Sequence, residues 1–172
     1  MEPLVDIVFE DPRWEAFGLQ SLADRAARAT FAGLGFGAVD ADFAGHEISC
    51  LACDDARIAV LNEDFRGKST PTNVLSWPSD ELSAEEDGDL PEAPDLDGPF
   101  AEGLGDIAIA WDTCEREAAE QGKPMADHVT HLMIHATLHL LGYDHIREGD
   151  AQLMENTEVR ILATMGLANP YE

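Results

Sequence analysis

The sequence predicts an α+β fold, a single domain in which helices cover a small mixed β-sheet and a central helix carries several histidines. Two observations lead to this prediction. Short apolar segments of strand length stand between longer segments whose apolar residues recur every three or four positions, as on one face of a helix. The chain has no internal repeat, and its 172 residues favour one domain over 1–172.

The first half of the chain is predicted to contain two strands and two helices. Val5, Ile7 and Phe9 alternate with other residues as in a strand, and Trp14 begins a stretch of helix formers that a group of glycines ends. An aspartate at 54 or 55 is placed to cap the second helix. The predicted elements are a strand over 4–9, a helix over 13–31, a strand over 47–53 and a helix from there to about 65.

The second half is predicted to contain two strands that pair across an acidic insertion, followed by three helices. Residues 79–102 hold ten acids and no lysine or arginine, together with several prolines and glycines, which predicts a solvated, mobile loop insertion. Asp112 and Glu115 form a capping-box pattern at the start of the next helix. The predicted elements are strands over 74–77 and 106–111 and helices over 112–122, over 124–142 and from about 150.

Charge is the unusual feature of the composition, with 35 acidic against 10 basic residues and a formal net charge of -25. Such a surface repels nucleic-acid phosphates and anionic lipids at long range, although a local basic site escapes that argument. No apolar run approaches the ~20 residues of a membrane span, and the first residues lack a signal-peptide pattern. We therefore expect a cytoplasmic monomer with neither DNA nor a membrane as partner.

The three cysteines, Cys50, Cys53 and Cys114, give an odd count that argues against a disulfide framework. The first two have the spacing of a redox or zinc half-site, but no second pair completes it. The flanking Ile48 and Leu51 indicate a strand. Buried strand thiols are therefore favoured over a metal or redox role.

The histidines carry the strongest chemical signal. His135 and His139 lie four residues apart in a predicted helix, so they share a face at a separation of ~6 Å along the axis. Gly142 lets the chain leave the helix with a positive φ, which returns His145 toward the same point. Three neutral imidazoles around tetrahedral zinc leave one position for water, as in catalytic zinc sites. Imidazole also binds nickel and cobalt, so ligand type alone does not exclude them.

The histidine spacing equals that of the metzincin protease motif, HExxHxxGxxH, with one difference. Ala136 stands where such a protease has the glutamate that acts as general base, so a metal site is favoured and a peptidase is not. The alternative, an amphipathic core helix with ordinary histidines, fits three of them at this spacing poorly. His131 lies on the same helix face, where it is expected either to compete as a ligand or to support the ligands. Asp144 is placed either to orient His145 or to accept a hydrogen bond from a ligand. His128 and His46 are expected to be ordinary surface or core residues.

A second candidate region is the segment 61–76, which holds Arg66 and Lys68 on a glycine-containing loop beside hydroxyl side chains. Guanidinium and ammonium groups in such a loop suit an anion such as phosphate. Basic turns are common on protein surfaces, but few other places in so acidic a chain offer a phosphate group a partner.

These two motifs, together with Leu-Gly-Asp-Ile-Ala-Ile at 104–109, resemble the YbeY family of bacterial rRNA maturation factors and endoribonucleases. The resemblance runs from about Val60 to Tyr171, apart from the acidic insertion, and includes 154–155 and 169–171. It implies an α+β metalloprotein that cleaves single-stranded RNA with one zinc ion per chain. It also implies a role in 3′-end maturation of 16S rRNA and in ribosome quality control, with rRNA and the small ribosomal subunit or its proteins as partners.

The resemblance also assigns roles to individual residues. The implied zinc ligands are His135, His139 and His145. Arg66 matches an arginine that contacts the scissile phosphate or the RNA, and Lys68 is expected to help hold the RNA backbone. Two features depart from the family pattern: Ala136 replaces the usual glycine, which is a mild change on a helix, and the acidic insertion is longer. The insertion disfavours RNA unless it lies away from the cleft or screens incorrect substrates.

The expected reaction is metal-assisted hydrolysis of an RNA phosphodiester, in which Arg66 stabilises charge in the transition state. The general base stays open, since either metal-activated water or the RNA 2′-OH is available as nucleophile. One rival is another zinc hydrolase, such as a peptidase or amidase, which Ala136 disfavours. The other is a non-enzymatic ribosome-assembly factor with structural zinc, because a net charge of -25 suits docking onto basic ribosomal proteins.

Overall fold

A computed structural model describes residues 4–35, 48–79, 82–91 and 103–171. In chain order its elements are β1 Val5–Phe9, α1 Pro12–Phe17, α2 Leu19–Gly33, β2 Ile48–Cys53, α3 Asp55–Arg66, β3 Val74–Pro78, β4 Gly105–Ala110, α4 Trp111–Gln121, α5 Met125–Leu140 and α6 Glu148–Thr164. The predicted α+β class is confirmed, because the described strands form one small mixed sheet with helices around it.

The sheet has the strand order β1-β2-β4-β3. The first three of these strands are parallel, with Val5 opposite Ile48 and Ile48 opposite Gly105. β3 runs antiparallel to β4, with Val74 opposite Ile109, as predicted for two strands joined by the acidic insertion. The predicted strand over 106–111 lies one residue too late in the chain, because β4 begins at Gly105 and Trp111 already begins α4.

Apolar side chains pack on both faces of the sheet, and the cysteines of β2 are divided between them. Cys50 belongs to the larger core, beside α2 and α5, whereas Cys53 packs with Ile58 of α3 in the smaller one. Because the two thiols point to opposite faces, they do not share a metal ion. Burial raises the pKa of both thiols to about 12, and both are free. The prediction of buried strand thiols is confirmed.

Two helix starts differ from the prediction. The helix predicted over 13–31 is two helices, because Gly18 adopts a left-handed φ of 89° that ends α1 before α2 begins. The capping box predicted for Asp112 is wrong, since α4 begins one residue earlier with no side-chain cap of its own. Asp55 of α3 instead accepts the Thr113 N–H at 2.9 Å, and Asp112 accepts the Asp55 N–H at 3.2 Å. The two helices therefore cap each other, a tertiary arrangement that a local sequence pattern does not reveal.

Helix α5 is the central helix of the fold, as predicted. Pro124 precedes it, most of its side chains are buried, and it packs against α2, α4, α6 and β3. Gly142 follows its end with a φ of 98°, the conformation expected from the sequence. No helix in the described ranges is long and apolar enough to cross a bilayer.

The described part of the acidic insertion, residues 82–91, is largely exposed, as predicted for a solvated loop. This part of the insertion is hydrogen-bonded to the domain. Arg147 donates hydrogen bonds to its main-chain carbonyls, and Asp150 bonds to its backbone and to one of its carboxylates. Residues 80–81 and 92–102 of the predicted insertion lie outside the described residues.

Candidate functional site

A cavity of about 270 Å³ brings together the residues that the sequence singles out for chemistry. The end of α3, the loop before β3, the exposed face of α5, the linker after α5 and the C-terminal residues all contribute to its wall. The predicted functional residues that line it are His135, His139, His145 and Arg66. The predicted convergence of separate segments on one point therefore occurs in the fold.

His135 is oriented by a carboxylate that comes from α6. Its Nδ1 atom lies in a short hydrogen bond with Oε1 of Glu158. Glu158 is fully buried, and it also contacts Nε2 of His131 at 3.3 Å and the hydroxyl of Tyr171. With Nδ1 held by the carboxylate, Nε2 of His135 is the atom left to bind a metal, which is the usual arrangement of a carboxylate behind a ligating imidazole.

Glu158 stays charged in this position. Burial alone would raise its pKa, but the hydrogen bonds from His131, His135 and Tyr171 outweigh burial and bring the pKa to about 2. A buried carboxylate is unfavourable unless positive charge compensates for it. A divalent cation on the other side of His135 would supply that charge, so the donor set and its surroundings fit a metal ion.

His139 is oriented by a hydroxyl that comes from β3. Its Nδ1 atom lies 2.8 Å from Oγ of Ser76, which is buried. With Nδ1 donating to the hydroxyl oxygen, the lone pair on Nε2 is available to a metal. Burial, and then the nearby His135, lower the pKa of His139 below its ordinary value, so the imidazole is neutral near pH 7. The neutral ring is the form that binds metals.

The third predicted ligand, His145, lies in the linker between α5 and α6. Its side chain is exposed, and its ring centroid lies 5.4 Å from that of His135. Two imidazoles on one tetrahedral zinc ion, with Zn–N bonds of about 2.0–2.1 Å, have centroids about 5 Å apart. Across the described ranges no three histidine, cysteine or acidic side chains lie close enough together, as placed, to hold a metal ion. The His135–His145 spacing is nevertheless that of two ligands of one ion.

The neighbouring residues predicted to assist the site take different positions. His131 lines the cavity with its Nε2 atom directed at Glu158, and its ring centroid lies 6.4 Å from that of His135. Of the two expectations for His131, this geometry is that of a neighbour of the ligands. Asp144 accepts the backbone N–H of His145 at 2.7 Å, so it holds the main chain of the linker rather than the ring.

Two histidines were expected to be ordinary, and one of them is described. His128 is buried in α5, where its Nε2 atom lies 3.0 Å from the Glu117 carboxylate, so it is the core residue that the sequence analysis expected. His46 lies outside the described residues.

Arg66 and Lys68 have separate surroundings although they are two residues apart. Arg66 is the last residue of α3 and lines the cavity, and within the described ranges it forms no ion pair with a carboxylate. Gly67 then turns the chain with a φ of 72°, and Lys68 follows with an exposed side chain outside the described cavity wall. The fold therefore directs one of the two cations toward the histidines.

Two residues that orient the predicted ligands, Glu158 and Ser76, were not predicted from the sequence. Glu158 had a signal, because it lies four residues after Met154 and three before Ile161, on the apolar face predicted for the last helix. A carboxylate on such a face indicates a buried partner. Ser76 had no comparable signal, since a serine in a short strand is common.

Comparisons with known proteins agree with this architecture. A family model described as "Endoribonuclease YbeY" matches residues 15–166. A protein of that name from Cereibacter sphaeroides is 58% identical over 172 residues, which cover 99% of this chain and 100% of that protein. Another, from Ruegeria pomeroyi, is 57% identical and covers 97% of both chains.

A solved structure is similar in fold. The solution structure of TM1509 from Thermotoga maritima superimposes with a TM-score of 0.53 at 17% identity, over 94% of this chain and 91% of that one. At that identity the likeness concerns the fold alone. The family model and the relatives cover nearly the whole chain, and the chain therefore belongs to the family described as Endoribonuclease YbeY.

Proposed function

We propose that this chain is a zinc-dependent endoribonuclease that cleaves single-stranded RNA, with one zinc ion per chain. We further propose that it acts in the cytoplasm in 3′-end maturation of 16S rRNA and in ribosome quality control, with rRNA and the small ribosomal subunit or its proteins as partners. Family membership supports the endoribonuclease activity, because relatives that are 57–58% identical carry that name. The finer assignments depend on the site.

The observation that carries the zinc proposal is the orientation of the two α5 imidazoles. Glu158 and Ser76 each engage an Nδ1 atom, so the Nε2 atoms of His135 and His139 are left for one ion. His145 is the third ligand in this proposal. When bound, zinc supplies a Lewis acid that polarises a phosphoryl oxygen and lowers the pKa of a water molecule.

Arg66 is proposed to bind the phosphate at which cleavage occurs. Its guanidinium lines the cavity with the histidines and has no carboxylate partner among the described residues, so its charge is available to an anion. A guanidinium beside the phosphate stabilises the negative charge that grows in the transition state. Lys68, which is exposed two residues after Arg66, is proposed to hold the RNA backbone outside the cavity.

The test compares three proteins at matched zinc content on a single-stranded precursor RNA that carries the 16S 3′ end. The proteins are the wild type, Arg66→Ala and the control Arg57→Ala, which removes the same charge from the same helix. Arg57 pairs with Glu10 and does not line the cavity. We expect cleavage by the wild type and the control, and a rate lower by about 10²–10³ for Arg66→Ala.

Two results would contradict the proposal. Equal cleavage by wild type and Arg66→Ala would place the active site elsewhere or reveal a contaminating nuclease. Absence of cleavage by all three zinc-loaded proteins, with zinc removal lowering the melting temperature, would favour the assembly-factor role in which zinc holds the last helices together.

A further inference from the structure

The third ligand of the proposed site lies on a linker whose first part is anchored in the core by Leu141 and Tyr143, but whose later part, from His145 onward, is exposed. His135 and His139 belong to α5, whereas His145 is an exposed residue between α5 and α6, followed by the exposed Ile146. An unsupported linker would hold the ring in many positions, and ordering it on metal binding would cost conformational entropy. Neighbouring chain segments therefore decide how well the ligand is placed.

The start of this linker is held by the acidic insertion. Gly142 leaves α5 with a φ of 98°, and the main chain of Leu82 lies directly against its Cα atom. A Cβ atom at position 142 would lie 2.7 Å from both the carbonyl carbon and the carbonyl oxygen of Leu82. The glycine is thus required twice, for its backbone conformation and for this close approach.

The end of the linker is held by the same segment through an arginine. Arg147 donates from Nη2 to the carbonyl oxygen of Ala84 at 2.7 Å and from Nη1 to that of Glu85 at 2.8 Å. Its Nε atom donates to the carboxylate of Asp150 at 2.6 Å. One guanidinium therefore joins the insertion, the linker and the first turn of α6, two residues after His145.

The first turn of α6 is capped by the insertion as well. Arg147 occupies the N-cap position and provides no side-chain cap, so the first N–H groups of the helix need acceptors from elsewhere. Oδ1 of Asp87 accepts the N–H of Asp150 at 2.8 Å, and Oδ1 of Asp150 accepts the N–H of Gly88 at 2.9 Å. A carboxylate at a helix N-terminus is also favoured by the helix dipole.

We propose that residues 82–88, the bracing segment, position His145 by holding its linker at both ends, with Arg147 and Asp87 as positioning residues. The inference rests on the proposed function, because it takes His145 to be a zinc ligand. It gives the acidic insertion a role that its charge does not predict. In this proposal, main-chain carbonyls and one carboxylate of the insertion hold the linker that carries His145, although the net charge of the insertion repels RNA.

The test measures zinc affinity by competition with a chromophoric chelator on purified proteins whose folding is checked by circular dichroism. Asp87→Ala and Arg147→Ala should each weaken zinc binding by about tenfold, at the lower end of effects seen for groups that support ligands. The matched control Asp89→Ala removes the same charge from an exposed position of the insertion and should change affinity less than twofold. Asp87→Asn should keep zinc affinity near that of the wild type, because the amide that it introduces still has an oxygen to accept the Asp150 N–H.

A second measurement separates positioning from general destabilisation. Arg147→Ala is combined with His145→Ala, and zinc affinity is compared with that of His145→Ala alone. If Arg147 acts through His145, the double variant binds no more weakly than the single one. The absorption spectrum of the cobalt-loaded Arg147→Ala protein should likewise shift toward that of cobalt-loaded His145→Ala.

The outcomes distinguish this inference from the proposed function. Weaker binding in His145→Ala, with unchanged binding in Asp87→Ala and Arg147→Ala, would overturn the inference and leave the zinc site in place. An equal loss from Arg147→Ala in the presence and absence of His145 would also overturn it, since the effect would then be on the fold as a whole. Equal zinc binding by wild type and His145→Ala would overturn the ligand set and this inference with it.

Discussion

The helical half of the site and the linker half are stabilised in opposite ways. His135 and His139 belong to a largely buried helix, and buried groups of α6 and β3 orient both rings. His145 and Arg66 are exposed; His145 lies in the linker between α5 and α6, and Arg66 is the last residue of α3. The two rings of α5 are thus oriented by buried groups, whereas the chain that follows His145 is held by hydrogen bonds of Arg147 at the surface.

This difference shows where the proposed site is pre-organised. On α5, the separation of the two rings follows from helix geometry, and it persists as long as the helix does. The linker is instead held by residues about 60 positions earlier in the chain, through contacts such as Arg147 with Ala84. Since surface hydrogen bonds open more readily than core contacts, we expect the linker half to yield first under strain or mutation.

The largest expected loss of zinc affinity comes from removing one proposed ligand from each half. His139→Ala should lower zinc affinity on the order of a hundredfold or more, because each ligand contributes a share of the binding free energy of a zinc site. His145→Ala should lose less, because the exposed ring has to be ordered before it binds and contributes a smaller net free energy. Chelator competition measures both affinities.

The control for this pair is His131→Ala, which removes a cavity-lining imidazole that is directed at Glu158. It should keep zinc affinity within about tenfold of the wild type. A loss from His145→Ala as large as that from His139→Ala would show that the two halves are equally organised. Zinc affinity that is retained in His139→Ala would refute the ligand assignment.

Glu158→Gln sharpens the comparison inside the helical half. The substitution keeps the shape and an acceptor for His135 but removes the negative charge, which is present at neutral pH because the pKa of Glu158 is about 2. Zinc affinity should fall by about 10–100-fold, the usual effect of losing a carboxylate behind a ligating imidazole.

The sign of the accompanying pH effect follows from the same lowered pKa. The stability that ionised Glu158 contributes is present above its ordinary pKa of 4.5 and is lost as the pH falls toward about 2, so Glu158→Gln should weaken that acid dependence. Glu155→Gln, at an exposed position of the same helix, is the control and should leave zinc affinity unchanged. Equal zinc affinities of Glu158→Gln and wild type would show that the charge of Glu158 does not support the site.

The helical half was predictable from sequence because it depends on local geometry. A spacing of four residues places His135 and His139 on one helix face wherever the helix packs, and Gly142 predicts the turn that follows the helix. The pairing of β3 with β4 was predictable for a related reason, since two strands joined by one insertion commonly form a hairpin. Both predictions are borne out by the fold.

The supporting contacts were not predictable, because they join segments that only the tertiary structure brings together. Ser76 meets His139 across 63 positions, and Glu158 meets His135 across 23. The bracing segment acts largely through main-chain carbonyls, which carry no side-chain signature. The failure to predict the reciprocal capping of α3 and α4 has the same origin, because Asp55 and Asp112 cap across 57 positions.

Ser76→Ala should have a smaller effect than Glu158→Gln. It removes one neutral hydrogen bond to Nδ1 of His139, which contributes about 0.5–1.5 kcal/mol and corresponds to an affinity loss of about two- to tenfold. Ser79→Ala, outside the cavity wall, is the control. A loss larger than that of Glu158→Gln, measured by the same chelator competition, would mean that the hydroxyl, rather than the carboxylate, is the main support of the helical half.

The smallest expected effect concerns the loop after α3 and its contact with RNA. Lys68→Ala should leave zinc affinity and the cleavage rate at saturating RNA unchanged, because the side chain is exposed and outside the cavity wall. It should weaken RNA binding a few-fold and reduce the salt dependence of binding by about 0.7 in the slope of log K against log salt, as for one lost contact with a single-stranded backbone. Fluorescence anisotropy with a labelled single-stranded RNA, titrated at several salt concentrations, measures that slope, with Lys123→Ala as the charge-matched control. An unchanged slope would show that Lys68 does not contact the RNA, and Arg66 would then be the proposed phosphate contact that is left.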